Sequence, residues 1–566
     1  MLRKSTALII APLLIASCSD AGTPDTADGT GGAGPAGGAA GVGGASSGGM
    51  NASGGGLASG GGPASGGAGN GGGPVSGGGP AAGGGPAAGG DAATGGVVDG
   101  GGGMDGSGGM APVSSICPYE PPELPGTFPD GWTSGEVTVF NDNGGWTWYN
   151  DERVIIDAEG GKIVVGSAAS SANTETGDRS INVVVHDLAT GMNTKTSLGS
   201  LSYSDDHNNP GIVMTAPGEY FAAYAHHNVD CFSYWSTYTG GSWSDTYQHS
   251  WQPQGCSWND SDVTYNNPWR MSAEGGRLYN FVRSIQTSPA FLSSDNDGQD
   301  WTYGGRLTAS PQQGYNAGYY KYWGNGVDRI DFFATEAHPR DSNTSVFHGY
   351  VMGEKSYDSF GVEQDDNIYD GNAPEIIAYT RIFAADSMLD GVLLRRLWNF
   401  DIARYEDGTI GVLWQGREHE CSDKNNCTPG HHIAYSRFDG EAWTSTRLVK
   451  GGRTLYRDRS DWWEEDYLGG AALDPDDPHV VYVSTPIDPR DDTTDLGNHE
   501  IWKGVTCDDG ASFVWTPMTM NSPNENLRPA VPKWDAQNTG VFWFRGNYQT
   551  AQMYSAEVVG ILTQEE

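Results

Sequence analysis

From residue 113 onward, apolar residues come in short runs that alternate with polar ones and stop at Gly, Asp or Asn. Lys162-Ile-Val-Val-Gly, Ile181-Asn-Val-Val-Val, Gly411-Val-Leu-Trp and Val480-Val-Tyr-Val-Ser are of this kind. A period of two puts successive side chains on opposite faces, so each run predicts a β-strand. Helical spacing of apolar positions is absent, and Trp, Tyr, Val and Thr are plentiful, so the expected fold class is all-β.

The turns between these runs repeat. Ser294-Asp-Asn-Asp-Gly-Gln-Asp-Trp301 and Thr506-Cys-Asp-Asp-Gly-Ala-Ser-Phe513 share the pattern Ser/Thr-x-Asp/Asn-x-Gly-x-x-aromatic, which resembles the Asp box of sialidase-type propellers. Looser versions are His186-Asp-Leu-Ala-Thr-Gly191, Tyr238-Thr-Gly-Gly-Ser-Trp243 and Phe438-Asp-Gly-Glu-Ala-Trp443. In each, Asp or Gly makes a tight turn and an aromatic packs on the strands. At intervals of about fifty residues, one four-stranded blade per repeat, residues 113–566 predict a seven-bladed β-propeller. An array of β-sandwiches is the alternative.

Before residue 113 the pattern changes twice. Met1-Leu-Arg-Lys and the apolar run Ala7 to Ala16 read as an export signal, too short to span a bilayer. Its end, Ile15-Ala16-Ser17-Cys18, resembles a bacterial lipobox, so residues 1–17 are expected to be cleaved and Cys18 acylated. Ser19 resembles outer-membrane sorting. The expected location is therefore an outer-membrane lipoprotein facing the periplasm or the cell exterior. Residues 18–112 are nearly all Gly, Ala, Ser and Pro, without the apolar side chains that would offset ordering entropy. They predict a disordered tether with a mean reach of about 50 Å.

Six cysteines follow Cys18, an even number that in an oxidising compartment favours disulfides. Cys231 with Cys256 and Cys421 with Cys427 make local staples, leaving Cys117 for Cys507. A zinc site from Cys421, Cys427, His419, His431 and His432 competes with the second staple. The formal net charge of −39 excludes nucleic acid as a partner and requires any groove that binds a polyanion to be locally basic.

Chemistry gathers between Asp205 and Arg283. His207, His226, His227, Tyr265 and Arg283 sit at predicted turns or strand ends, and such groups abstract a proton, return one and neutralise a carboxylate. They fit β-elimination on a uronate polysaccharide. Asp205-Asp-His-Asn-Asn-Pro210, Thr264-Tyr-Asn-Asn-Pro268, Gly276-Arg-Leu-Tyr-Asn-Phe-Val-Arg283, Tyr319-Tyr-Lys-Tyr-Trp-Gly-Asn-Gly-Val-Asp328 and Thr335-Glu-Ala-His-Pro-Arg340 resemble the BNR-4 family, which includes seven-bladed ulvan lyases. So do Leu473-Asp-Pro-Asp-Asp-Pro and Asn526-Leu-Arg-Pro-Ala-Val-Pro532.

By that resemblance His207, His227, Tyr265 and Arg283 are catalytic. Asn209, His226, Tyr319 and Lys321 are expected to bind substrate. An Arg-Pro expected before Tyr319 is Ala317-Gly318 here, which removes one anion contact. His338, His348 and His432 are expected to hold any structural metal, Zn or Ca, while the chemistry itself needs no cofactor. The expected partners are an anionic, ulvan-like polysaccharide, its sulfation left open by the sequence, and, through the lipid anchor, the outer membrane, with the chain a monomer. A sialidase-like hydrolase and a non-catalytic glycan-binding propeller are the alternatives; no motif identifies the two carboxylates a hydrolase needs.

Overall fold

The computed structural model describes residues 119–173, 177–254, 263–285, 287–310, 317–420, 430–456 and 464–564. Cys18, the Gly-rich segment, Cys117, Cys256, His419's neighbours Cys421 and Cys427, and the lipobox lie outside these residues. Cys231 and Cys507 are each disulfide-bonded.

Seven antiparallel sheets follow one another along the chain. The first is built from Val154–Asp157, Lys162–Ala168, Ser180–Asp187 and Met192–Ser200. The second holds Gly211–Ala216, Glu219–Ala225 and Phe232–Thr239 with two short outer strands. Thr264–Met271, Arg277–Ser284, Ser288–Ser294 and Thr302–Arg306 form the third. The fourth, fifth and sixth open on Tyr320–Gly324, Val392–Arg404 preceded by a short hairpin partner, and Ala471–Leu473. In the seventh, Glu525–Ala530, Asn538–Thr550 and Met553–Gln564 are completed by Val137–Asn141 from the front of the domain. The result is an all-β, seven-bladed propeller closed by pairing its two ends.

The repeated turn motifs all fall between third and fourth strands. In the first, Gly298 N donates to Ser294 Oγ at 2.9 Å and Asp300 N to Asn296 Oδ1 at 2.9 Å. The second repeats this with Gly510 N on Thr506 Oγ1 and Ser512 N on Asp508 Oδ1. Thr264 pairs with Arg283, and Leu278 with Ser294, so the Asp box and Arg283 lie at opposite ends of the third blade.

One stretch was not legible as an element. Residues 146–153, between the closing strand and the first blade, are almost entirely buried and touch inner strands around the ring. Trp146 Nε1 donates to Arg528 O, Trp148 Nε1 to Asn399 O, and Asp151 N to Asn267 Oδ1. Lys321, fully buried, donates to Trp148 O at 2.5 Å and forms an ion pair with Asp151. The segment therefore crosses the axis of the propeller and divides it into two halves.

Candidate functional site

On the side of this segment where the inner strands begin, the second and third blades bring four side chains together. Asp205 caps the short turn Asp206–Asn208, its extended backbone letting Oδ1 accept from His207 N at 3.0 Å. The same carboxylate holds both catalytic-candidate histidines: His207 Nδ1 donates to Asp205 Oδ1 at 2.6 Å, and His227 Nδ1 to Asp205 Oδ2 at 2.9 Å. Their rings stack at 4.5 Å. His227 lies two residues past the second strand of its blade, and its own N–H donates to Asn208 Oδ1 at 2.6 Å.

Tyr265 lies 5.7 Å from His207, ring to ring. It sits in a bulge between Thr264 and Asn267 with a positive φ of 61°, a conformation that costs about 1–3 kcal/mol for a residue with a Cβ. Asn267 Nδ2 donates to Tyr265 O at 2.9 Å and supports that geometry. Arg283, next to last in its strand, stands over the Tyr319 ring at 4.6 Å and shares a narrow pocket with Tyr265 and Tyr319. Tyr149 of the axial segment lies under both tyrosines, at 5.1 and 4.7 Å.

The two histidines carry different charges. Burial disfavours a charged His207, but the Asp205 and Asp206 carboxylates outweigh it and raise its pKa to about 10. For His227 burial wins: desolvation, aided by the His207 and Arg283 charges, lowers its pKa despite Asp205. At neutral pH the pair is thus an imidazolium beside a neutral imidazole. Asp205 is depressed, the two histidines overcoming its burial. Asp206 is likewise held ionised by Arg528, whose Nη1 donates to Asp206 Oδ2 at 2.6 Å, and by Tyr548, whose hydroxyl donates at 2.7 Å.

Several expected substrate contacts lie elsewhere. Asn209 is buried, and its Oδ1 accepts from Thr147 N and Asn150 Nδ2, fixing the axial segment rather than facing a ligand. Lys321 is likewise consumed by Asp151. His226 turns to the other face, where it donates to Asp230 at 2.9 Å and stacks on Tyr234 at 4.4 Å. Tyr319 does adjoin the cleft.

His338, His348 and His432 are not gathered into one metal site: His338 meets Tyr319 Oη at 3.1 Å, His348 meets Ser359 and Asp331, and His432 meets Glu418. Among the described residues the group with metal-ligand spacing is Asp205, His207 and His227, its ligand atoms all within 4.8 Å of one another. Its contacts are also those of a proton-sharing network, with His207 Nδ1 at 2.6 and 3.0 Å from two carboxylates.

Sequence reasoning passed over Asp205 and Asp206, although both stand in the motif that carries His207. It also missed Tyr467, whose Oη is 3.2 Å from His207 Nε2, and Arg528. Arg528 belonged to a motif already singled out; Tyr467 had no local signal.

No family model matches the chain, and no curated protein matches it, so the BNR-4 resemblance is not shown at the family level. Among solved structures, the chain is similar to a PL25 ulvan lyase bound to -[GlcA(1-4)Rha3S]-, with 13% identity, TM-score 0.52, and coverage of 76% of this chain and 96% of that one. A second structure of a PL25 ulvan lyase gives 12% identity and TM-score 0.51 over the same shares. The BP39L lectin from Burkholderia pseudomallei matches at 10% identity and TM-score 0.41, over 76% of this chain and 96% of that one. At these identities the likeness to the two ulvan lyase structures shows the fold alone.

Proposed function

We propose that the chain is a polysaccharide lyase that cleaves a uronate-containing, ulvan-like polysaccharide by β-elimination. The observation that carries this reading is the pair of stacked histidines sharing the Asp205 carboxylate, beside a tyrosine and an arginine. Groups pushed apart in pKa at one place are the mark of an acid and base working together.

Arg283 pairs with the sugar carboxylate, and the fixed charge of His207 stabilises the enolate-like anion as it forms. Neutral His227, with Nδ1–H held by Asp205, presents a basic Nε2 and takes the C5 proton. Asn228, whose amide lies 3.1 Å from that nitrogen, has an exposed side chain and gives way to the substrate. The C5–H electrons form the C4–C5 double bond, the C4–O4 bond breaks, and the Tyr265 hydroxyl protonates O4. No cofactor enters these steps. We also propose that the enzyme works as an outer-membrane lipoprotein anchored at Cys18, at the end of its Gly-rich tether.

Turnover is measured on a panel of uronate polysaccharides by the ultraviolet absorbance of the unsaturated product. Tyr265→Phe and His227→Ala are each expected to lower kcat by at least about 100-fold while leaving glycan binding intact. Chelation with EDTA is expected to leave the rate unchanged; loss of activity that added metal restores would assign Asp205, His207 and His227 to an ion instead. Wild-type rates in Tyr265→Phe would contradict its role as proton donor.

A further inference from the structure

One donor to Asp205 comes from the far end of the chain. Besides the two histidines, its carboxylate takes a hydrogen bond from Gln552, 347 residues away in sequence, whose Nε2 lies 3.2 Å from Oδ2. Oδ1 serves His207 twice, through N and Nδ1, whereas Oδ2 is divided between His227 Nδ1 at 2.9 Å and this amide. The amide's orientation follows from charge. Its carbonyl oxygen would be repelled by a carboxylate oxygen at that distance, so the NH2 group faces Asp205.

The side chain of Gln552 is exposed, but the backbone that carries it is fixed. Gln552 N donates to Thr550 Oγ1 at 3.2 Å, Ala551 N to Tyr456 Oη at 2.9 Å, and Asp206 N to Ala551 O at 3.0 Å. The hairpin turn of the seventh blade, between Asn538–Thr550 and Met553–Gln564, is thus bonded directly to the motif that carries His207. Closure of the ring puts the amide where no local motif would place it.

We propose that Gln552 is a positioning residue for the elimination, holding Asp205 Oδ2 where it keeps the His227 proton on Nδ1 and leaves Nε2 free as the base. The inference rests on the lyase reading given above. Bonds at Oδ1 alone let the carboxylate pivot about that oxygen, and a donor from another blade at Oδ2 stops the pivot. His227 cannot supply this restraint, being the group that is to be held. With Oδ2 displaced, either ring nitrogen of His227 can carry the proton, and the tautomer with Nε2–H is no base. Gln552 acts through Asp205 and touches no reacting atom.

The test joins a readout without turnover to one with it. Full-length protein carrying 15N-labelled histidine is compared at neutral pH by the ring-nitrogen shifts of His227, identified by their loss in His227→Ala, and by kcat and KM on a uronate polysaccharide. Gln552→Met fills the same space without a donor. It is expected to turn the single Nδ1–H signature of His227 into a mixture of tautomers, and to lower kcat at least fivefold with KM within twofold. Gln552→Glu keeps the length and loses the donor; it is expected to lower kcat likewise and carries the test should Gln552→Met fail to fold. In the His227→Ala background Gln552→Met is expected to change kcat no further. The proposal is overturned by an unchanged His227 signature in folded Gln552→Met, by a rise in KM alone, or by an undiminished loss of kcat when His227 is absent. Absence of elimination on every polysaccharide would sink the lyase reading instead, and the nitrogen shifts would still decide whether Gln552 sets the proton on His227.

Discussion

At the scale of single residues, the site depends on how Asp205 is shared. One carboxylate accepts from two imidazoles, and a second, Asp206, tips the proton balance toward His207. A folded pKa of about 10 for His207 means that its stabilising contribution is complete below the unfolded value of about 6.5 and disappears as pH rises through 10. His227 is depressed, so it stays neutral throughout that interval. The dependence of kcat/KM on pH is therefore expected to be flat through neutrality and to fall on a basic limb centred at about 10. A basic limb near 7 would show that His207 is not held by the carboxylates as described. His207, Tyr265 and Arg283 were legible because each stands within a short motif at a turn or strand end; His227 lies in none of those motifs and rested on the resemblance alone. Their partners were not, because Arg528 is 322 residues from Asp206 and Tyr467 is 260 from His207. Only closure of the ring makes them neighbours.

Elements explain where sequence reading of the cleft went astray. In the opening strand of the fourth blade, alternation puts Tyr320 and Tyr322 against Phe281 and Phe332, and leaves Tyr319 and Lys321 on the other face. Sharing a face is not sharing a depth: residues two apart lie about 6–7 Å from each other along a strand. Tyr319 thus reaches the rim beside Arg283, whereas Lys321 meets the axial segment one step lower. That segment has no repeat signature, since it is a single crossing of a seven-fold structure, and nothing in its own pattern announces what it touches. Lys321→Met should leave Asp151 buried without its cation and cost about 3–5 kcal/mol in urea unfolding. A rise in KM with unchanged stability would instead return Lys321 to the substrate cleft.

For the whole molecule, the repeated hairpin turns and strand runs were sufficient to predict seven blades, because each blade is a local unit whose turns are written in its own residues. The closing strand was less legible. Val137–Asn141 pairs with Met553–Gln564, more than four hundred residues away, and local pattern identifies a strand without naming its partner. Phe140 seals that joint, packing on Phe542 of the seventh blade at 5.0 Å and His186 of the first at 5.1 Å. Phe140→Ala is expected to cost about 3–5 kcal/mol, with the same unfolding midpoint for probes in the third and seventh blades. Separate midpoints would mean that the ring does not melt as one unit.

The axial segment backs the cleft in which His207, His227, Tyr265 and Arg283 gather. The central claim is the elimination proposed for that cleft, and mass spectrometry of the oligosaccharides released from a uronate polysaccharide tests it most directly. Elimination is expected to leave a 4,5-unsaturated, ultraviolet-absorbing end, each new fragment lighter by one water than its hydrolytic counterpart. Saturated ends that incorporate solvent oxygen would contradict the account.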